Sequence, residues 1–280
     1  MLDIASTQWH DHRMITAPID LPADHPGVTD PVYLERRATI AAASQNHTRG
    51  ARPATVEYSE VEHDVWRTVL AALRGLHETY AIDEYQIGAA ALQLPSDHIP
   101  QLADVSDRLH DLTGWRVEAV PGLVPTREFY GALAERTFLS TQYVRHPSVP
   151  FYTPEPDIIH ELIGHVNALA SPRLAALHEA AGLASVRAID DAALARFSKV
   201  FWFSLEFGVT RQRGELRTYG AGLLSSFGEI QAFRNAEIRP CDTKAMATQE
   251  YDITAFQDIL FAGPSFDEVE ARLLAYFASI

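Results

Sequence analysis

Residues 157–165 read Asp-Ile-Ile-His-Glu-Leu-Ile-Gly-His and carry the most specific signal in the chain. In the zinc hydrolase motif H-E-x-x-H, the two histidines are four residues apart on one helical face and the glutamate is the base. His160 and His165 are instead five residues apart, so on an ideal helix their side chains would diverge by about 140°. A helix that brings both to one metal ion must therefore end or distort, and Gly164 is a residue that permits distortion. The spacing argues against a zinc protease and for a different metal site.

A third ligand is predicted from Glu206, which lies in the apolar and aromatic stretch Phe201-Trp-Phe-Ser-Leu-Glu-Phe-Gly208. A buried carboxylate without a partner is costly, so it needs a cation or strong donors. For an isolated glutamate of this kind a salt bridge to a buried arginine would be favoured, but two convergent histidines reverse that preference. Two imidazoles and one carboxylate form the facial triad of non-haem Fe(II) oxygenases. Zinc with the same three ligands is the chemical alternative.

The composition is that of an ordinary soluble globular protein and limits the partners. The 280 residues are 47% hydrophobic and 21% charged, in the range of one large domain or at most two. A formal net charge of -14 disfavours nucleic acid and anionic membranes. The single cysteine, Cys241, fits a reducing cytoplasm, the first residues lack a secretory signal, and no apolar run approaches the roughly 20 residues of a membrane span. We therefore expect a cytoplasmic protein that binds neither nucleic acid nor membrane. We also expect a monomer.

The spacing of apolar residues predicts a mostly α chain with a few short β-strands. The predicted helices begin near residue 60 and after residue 100, and cover 127–138, 172–184, 190–209 and 267–277, with one short helix near 31–43. Strands are predicted over 115–120, after the turn at Gly214, and over 253–261. There is no internal repeat and no low-complexity linker. The pattern indicates one mostly helical domain.

Several motifs, in order, resemble the pterin-dependent aromatic amino acid hydroxylases. These motifs are Thr141-Gln-Tyr-Val-Arg-His146, Tyr152-Thr-Pro-Glu-Pro-Asp157, His160-Glu-Leu-Ile-Gly-His-Val166, residues 202–208 and Tyr219-Gly-Ala-Gly-Leu-Leu-Ser-Ser-Phe-Gly-Glu229. The similarity covers residues 24–280 and is greatest to the compact bacterial phenylalanine hydroxylases of this family. It implies a single catalytic hydroxylase domain over 24–280, preceded by an irregular N-terminal arm over 1–23.

The resemblance implies an Fe(II)- and tetrahydropterin-dependent monooxygenase that uses O₂ to convert phenylalanine to tyrosine. The pterin would be tetrahydrobiopterin or a related bacterial pterin. Hydroxylation of phenylalanine at the meta position and hydroxylation of tryptophan are alternatives, since one or two side chains can turn the ring in its pocket. A His₂Glu zinc hydrolase and a non-catalytic binding protein are alternatives from other classes.

Site residues are also implied by the resemblance. The iron ligands would be His160, His165 and Glu206. The substrate would be bound by Arg145, Thr153, Pro156, Trp202, Phe207 and Ser225. The pterin would be bound by Gly122, Val124, Thr126, Phe129, Glu161 and Phe201. The catalytic residue would be Glu155, which could position water or the substrate ring near iron.

Two of these assignments have a structural alternative. A planar guanidinium suits an amino acid carboxylate, so Arg145 is implied to bind it through two parallel hydrogen bonds, but an arginine in an acidic chain can equally form a structural ion pair. Phe129 and the aromatic residues around Trp202 would, taken alone, be expected in the core. The chain also departs from the family where Phe201 replaces the common tyrosine, Ser198 a small apolar residue and Asn167 the usual proline.

Overall fold

The structure is a computed structural model that describes residues 21–45 and 47–280. Residues 1–20 of the predicted N-terminal arm therefore lie outside the described residues. The α-helices are α1 (Pro31–Gln45), α2 (Glu60–Tyr80), α3 (Asp83–Leu92), α4 (Leu102–Thr113), α5 (Thr126–Leu133), α6 (Asn167–Leu169), α7 (Pro172–Arg187), α8 (Asp191–Phe201), α9 (Ala221–Ser225), α10 (Glu229–Ala232), α11 (Thr243–Met246) and α12 (Phe266–Ala278). Two π-helical turns, His160–Val166 and Trp202–Glu206, lie directly before α6 and directly after α8. Short 3₁₀ turns lie at Pro26–Val28 and Phe233–Asn235.

Six short strands form two small sheets in the described part of the chain. The strands are β1 (Arg116–Ala119), β2 (Thr137–Ser140), β3 (Val209–Gln212), β4 (Glu215–Thr218), β5 (Glu237–Pro240) and β6 (Ile259–Gly263). Strands β1 and β2 are parallel, and the second sheet has the order β4-β3-β6-β5. Strands β3 and β4 form an antiparallel hairpin, while β6 is parallel to both β3 and β5. The mostly α fold with few short strands, predicted from the sequence, is confirmed.

The helices bury their apolar faces in one large core. Helix α2 shows the pattern: Val65, Trp66, Val69 and Leu73 recur on one face and are each at most 4% exposed. Its N-terminus is stabilised by a capping box between Ser59 and Glu62, in which each side chain accepts a hydrogen bond from the backbone N–H of the other residue. Helix α7 packs between α5 and α12, and the π-turn His160–Val166 contacts α9. The residues of the predicted metal site therefore lie on elements held by the core.

Two predicted helices end earlier than their apolar patterns indicated. The helix expected over 127–138 ends at Leu133, because Arg136 has φ 53° and the residues after it pair with β1. The helix expected over 190–209 ends at Glu206, and β3 begins three residues later. In both places β-branched and aromatic residues pair across a sheet, which local spacing does not reveal.

Other boundaries also changed, and several short helices were missed. The strand expected over 253–261 is β6, which begins only at Ile259. Helices α3 and α9 were not predicted, because each is short and mixes small residues with apolar ones. In contrast, Gly214 forms the hairpin turn between β3 and β4 with φ 82°, as predicted. No helix among residues 21–45 and 47–280 is long and apolar enough to cross a membrane.

Candidate metal centre

The π-helical turn brings His160 and His165 together despite their five-residue spacing. In a π-helix the backbone hydrogen bonds join residues five apart, so those residues lie nearly above one another. The N–H of Asn167 accordingly donates to the carbonyl of Leu162. The Nε2 atoms of His160 and His165 are 3.1 Å apart. The predicted helix distortion is confirmed.

Gly164 serves this turn in a different way from the one predicted. Its φ is not in the left-handed region, so the position does not require the conformational freedom of glycine. A Cβ atom there would lie 2.7 Å from the carbonyl oxygen of Ala221 and 3.1 Å from its Cβ. Gly164 therefore lets α9 pack directly on the π-turn, and this packing carries Ser225 to His160.

Glu206 reaches the two histidines from the second π-turn. The N–H of Phe207 donates to the carbonyl of Trp202 at 2.8 Å, a π-type bond across Trp202–Glu206. Glu206 Oε1 lies 3.0 Å from His165 Nε2, and its Oε2 lies 3.9 Å from His160 Nε2. Among the described residues no arginine or lysine forms an ion pair with this carboxylate. The alternative of a buried arginine partner is therefore wrong.

The three side chains fit a divalent metal ion. Each side chain offers one ligand atom, and these three atoms all lie within 4.8 Å of one another. Two metal–ligand bonds of about 2.1 Å that meet at a right angle place their ligand atoms about 3 Å apart. The separations of 3.0 Å between His165 and Glu206 and 3.1 Å between the two histidines match that spacing, and the separation of 3.9 Å between His160 and Glu206 is longer.

Ser225 determines which nitrogen of His160 is available to a metal. His160 Nδ1 lies 2.8 Å from Ser225 Oγ, and that oxygen donates its single proton to the carbonyl of Ala221, also at 2.8 Å. His160 must therefore donate its Nδ1–H to Ser225, which leaves the Nε2 lone pair directed at the site. Ser225, predicted to bind substrate, thus orients a predicted ligand in this structure.

The electrostatics of the site favour a cation. Burial lowers the pKa of His160 to about 4, so this ring is neutral at pH 7. Burial opposes the charge on His165, but the Glu206 carboxylate outweighs it and raises the pKa of His165. Burial also opposes ionisation of Glu206, but His165 outweighs it and lowers the pKa of Glu206 to about 2. The site thus presents the Glu206 carboxylate beside the lone pair of His160, and a cation would take the place of the proton that Glu206 stabilises on His165.

Arg145 lies in a buried ion pair with Asp157. Its Nε donates to Asp157 Oδ2 at 2.9 Å and its Nη2 to Oδ1 at 2.7 Å, while Nη1 donates to the carbonyl of Pro150 at 3.3 Å. Both side chains are at most 3% exposed. The ion pair, considered as an alternative from the sequence, is present. Two of the five guanidinium N–H groups have no partner in the described part of the chain, so binding of a substrate carboxylate stays a prediction.

The other predicted substrate residues lie in two places. Thr153 and Pro156 are half-buried in the loop before the π-turn, where the Thr153 hydroxyl donates to the carbonyl of Glu155 at 2.6 Å. Trp202 and Phe207 contact each other with ring centroids 4.5 Å apart. These two aromatic rings therefore contact each other, whereas the Thr153 hydroxyl faces its own loop, and substrate binding by these residues stays a prediction.

Trp202 has two partners that sequence reasoning missed. Tyr251 stacks on its indole at 4.2 Å with the planes 10° apart, and Gln257 Oε1 accepts the indole N–H at 2.9 Å. Glu229 in turn accepts the backbone N–H of Gln257 at 2.7 Å. These residues are far from Trp202 in the sequence, and no spacing signal connects them.

Two of the predicted pterin residues, Phe129 and Phe201, belong to an aromatic cluster next to His165. Half-buried Phe129 lies edge-on to Phe201 and to Phe138, at 6.3 Å and 5.9 Å, and Phe138 lies 4.8 Å from the ring of His165. The preceding loop and the start of α5 hold Gly122, Val124 and Thr126. A Cβ atom at Gly122 would meet no described atom within 4 Å, so the space beside this backbone is open.

Glu161 is buried beside the first histidine. Thr141 donates to its Oε1 from both the backbone N–H and the hydroxyl, each at 3.4 Å. Burial raises the pKa of Glu161 to about 8, so the side chain is mostly neutral at pH 7. A neutral acid can donate a hydrogen bond, which fits its predicted contact with a cofactor better than the role of a hydrolytic base.

Glu155, the predicted catalytic residue, forms an ion pair with Arg37 of α1. Arg37 Nη2 donates to Glu155 Oε2 at 2.6 Å, and the guanidinium lies 3.8 Å above the ring of Tyr143, whose hydroxyl also donates to Glu155. Arg37 was missed in the sequence, although it shares one helical face with buried Ile40 and Ser44, a signal that could have found it. Helix α1 is therefore coupled to the loop that precedes the metal site.

Comparison with known proteins agrees with this geometry. A family model described as biopterin-dependent aromatic amino acid hydroxylase matches residues 3–280. Phenylalanine 3-hydroxylase of Streptomyces coeruleorubidus is 50% identical over 246 residues, 88% of each chain. Human phenylalanine-4-hydroxylase is 39% identical, and the match covers 96% of this chain but 61% of the human protein.

Solved structures show the same fold. Phenylalanine hydroxylase of Chromobacterium violaceum, with bound iron(III) and 7,8-dihydrobiopterin, is 30% identical, with a TM-score of 0.76 over 86% of this chain and 90% of that one. The apo enzyme of Colwellia psychrerythraea 34H is also 30% identical, with a TM-score of 0.73 over 83% of this chain and 94% of that one. Because the family match extends over nearly the whole chain, this protein belongs to the biopterin-dependent aromatic amino acid hydroxylases.

Proposed function

We propose that this protein is an Fe(II)- and tetrahydropterin-dependent monooxygenase that hydroxylates phenylalanine. The observation that carries the proposal is the convergence of His160, His165 and Glu206, whose ligand atoms lie within 4.8 Å of one another. The Chromobacterium relative binds iron and a biopterin on the same fold. Since the family consists of hydroxylases, we do not retain the zinc hydrolase or the non-catalytic alternative.

The oxidation chemistry would come from Fe(II), O₂ and the reduced pterin, while the protein supplies binding and orientation. Ser225 keeps the Nε2 lone pair of His160 directed at the iron position. Asp157 holds the Arg145 guanidinium in one plane, and its two remaining N–H groups would bind the substrate carboxylate. These contacts would orient the substrate ring relative to the iron.

Aromatic side chains would form the walls on the substrate and pterin sides. The rings of Trp202 and Phe207 would exclude water from the substrate. Phe129 would stack on the pterin, and neutral Glu161 would donate a hydrogen bond on the same side. Glu155, held by Arg37, would position water or the substrate at the edge of the site.

For the ring position, we propose the meta product, 3-hydroxyphenylalanine, as the first candidate. Its support is the 50% identity with the Streptomyces phenylalanine 3-hydroxylase, against 39% with the human phenylalanine-4-hydroxylase. The para product, expected from the sequence motifs, is the second candidate and is supported by the phenylalanine-4-hydroxylases from animals and Dictyostelium. Human tyrosine 3-monooxygenase is 40% identical, so tyrosine has to be included among the substrates tested.

The test is product identification with purified, Fe(II)-loaded protein, tetrahydrobiopterin and O₂. Phenylalanine, tyrosine and tryptophan are supplied separately, and the products are separated against authentic ortho-, meta- and para-tyrosine, dihydroxyphenylalanine and 5-hydroxytryptophan. We expect meta-tyrosine from phenylalanine, and consumption of both O₂ and pterin.

The matched control is Glu206→Gln, which keeps the size of the side chain and removes the anionic ligand. It should neither hold iron nor form product. Iron-loaded wild-type protein that hydroxylates none of the three amino acids would refute the proposal. Para-tyrosine as the main product would refute only the assigned ring position.

A further inference from the structure

Two buried ring nitrogens beside the metal centre have no hydrogen-bond partner among the described residues. They are Nδ1 of His165 and Nε2 of His178, a residue of α7. Each side chain is 2% exposed, and the ring centroids lie 6.2 Å apart with the planes at 83°. A buried polar atom left without a partner destabilises the folded protein. Two such atoms on neighbouring rings therefore call for a common explanation.

Their donor and acceptor roles are complementary. His178 Nδ1 lies 2.8 Å from the carbonyl of Leu174, which can only accept, so Nδ1 carries the proton and Nε2 is a lone pair. A His165 that offers its Nε2 lone pair to a metal carries its proton on Nδ1. One unpaired donor is thus matched by one unpaired acceptor.

We propose that His178 is a positioning residue for the metal ligand His165, acting through one buried water that accepts the Nδ1–H of His165 and donates to Nε2 of His178. Two hydrogen bonds of about 2.9 Å that meet at one water span roughly 4.5–5.8 Å. Rings whose centroids are 6.2 Å apart can present their nitrogens at that separation. The inference rests on the proposed role of His165 as an iron ligand.

The proposed water bridge would act on metal binding. A ligand histidine that donates its second N–H is held in one orientation and is a stronger base toward the metal. Ser225 provides this contact for His160, and the bridge to His178 would provide it for His165. Both imidazole ligands would then be oriented by residues outside the ligand set.

The test compares His178→Leu with His178→Gln. Leucine removes the acceptor, whereas the glutamine amide keeps one. We expect the Fe(II) dissociation constant to rise about 10- to 100-fold in His178→Leu, the range typical for loss of a contact that orients a metal ligand. Iron should pass faster to a chelator, and the visible absorption bands of the Co(II)-loaded protein should shift. In His178→Gln most of the affinity should return.

Trp115→Phe is the matched control, because Trp115 lies edge-on to His178 at 6.3 Å and is buried but contributes no hydrogen bond to it. It should lower the Tm while the iron affinity and the Co(II) spectrum stay at wild-type values. The KM for phenylalanine should change little in any iron-saturated variant.

Distinct results would overturn the inference or its basis. A folded His178→Leu protein with wild-type iron affinity and an unchanged Co(II) spectrum would overturn the inference alone. A high-resolution structure of the iron-loaded protein without a water between the two nitrogens would do the same, and it does not depend on the folding of any variant. Wild-type protein that fails to bind Fe(II) would overturn the proposed function together with the inference.

Discussion

Replacing Asp157 by asparagine should cost more stability than any other single polar change near the site. The Asp157 carboxylate is fully buried and accepts the backbone N–H, Nε and Nη2 of Arg145 at 2.8, 2.9 and 2.7 Å, and the backbone N–H of His160 at 3.1 Å. An asparagine NH₂ would face one of these donors, and the arginine charge would remain buried without its anion. Breaking a buried pair in this way costs about 3–5 kcal/mol. The expected fall in Tm is about 6–20 °C, at roughly 2–4 °C per kcal/mol.

The pH dependence provides a second readout of the same pair. Burial opposes ionisation of Asp157, but Arg145 outweighs it and lowers the pKa of Asp157 below its usual value. The carboxylate therefore contributes its full stabilisation above about pH 4, and the contribution is lost as the pH falls through the lowered pKa. The difference in unfolding free energy between wild type and Asp157→Asn should shrink in that acid range.

The assay is urea denaturation between pH 3 and pH 8, followed by fluorescence and circular dichroism. Arg145→Lys is the companion variant, because lysine keeps the charge but loses the fork that binds two oxygens. Iron-saturated Arg145→Lys should have a raised phenylalanine KM and should oxidise pterin without hydroxylating substrate. An Asp157→Asn protein within about 1 kcal/mol of wild type at pH 7 would refute the assigned strength of the pair.

Four further predictions concern the ligands, the pterin side and a buried acid. Alanine at any of the three predicted ligands, namely His160, His165 and Glu206, should abolish tight iron binding and hydroxylation while the fold survives, as measured by metal analysis and circular dichroism. Phe129→Ala should raise the pterin KM several-fold and leave the phenylalanine KM nearly constant, since a stacked ring contributes roughly 0.5–1.5 kcal/mol beyond area burial. Ser225→Ala should weaken iron binding about 10- to 100-fold, measured by chelator competition, because His160 loses the acceptor of its Nδ1–H. Glu229→Gln should gain stability relative to wild type as the pH rises from 5 to 8 in urea denaturation, because burial raises the pKa of Glu229 to about 7 and the folded protein increasingly opposes its ionisation.

Each of these expectations has a result that contradicts it. Normal iron content with full activity in Glu206→Ala would remove the triad assignment. A lowered Tm with an unchanged pterin KM in Phe129→Ala would place that ring in the core alone. Wild-type iron affinity in Ser225→Ala would show that the hydroxyl does not orient the ligand. A constant stability difference across pH 5–8 would show that the Glu229 carboxyl does not titrate there.

Helix positions were largely predictable, because the 3.6-residue spacing of apolar side chains is a local property. Helices α2, α4, α7 and α12 begin close to their predicted residues. The ends were less predictable where a partner strand competes with the helix. Residues 137–140 lie at the end of a helical pattern, yet they pair with β1 because that pairing buries Phe138 completely.

The metal ligands could be proposed from the sequence alone, because it shows both the five-residue spacing of the two histidines and a glutamate within an apolar stretch. That spacing also implied a distorted helix, which the π-turn confirms. The hydrogen-bond partners of the site residues could not be proposed in this way. Ser225, Arg37 and Gln257 lie 55–118 residues away from their partners in the sequence, and only packing brings them into contact.

The amino-acid sequence was therefore sufficient to predict a metal site of two histidines and one glutamate, because the ligand types, their spacing and the helical period are local features of the chain. The tertiary structure was needed to determine the hydrogen-bond partners and the pKa of each side chain. It paired Arg145 with Asp157 in a buried site, turned Ser225 toward His160, and placed His178 beside His165. Hydrogen-bond partners and pKa values depend on burial and on distances of a few ångströms between segments remote in the sequence, and those distances exist only once the core has packed.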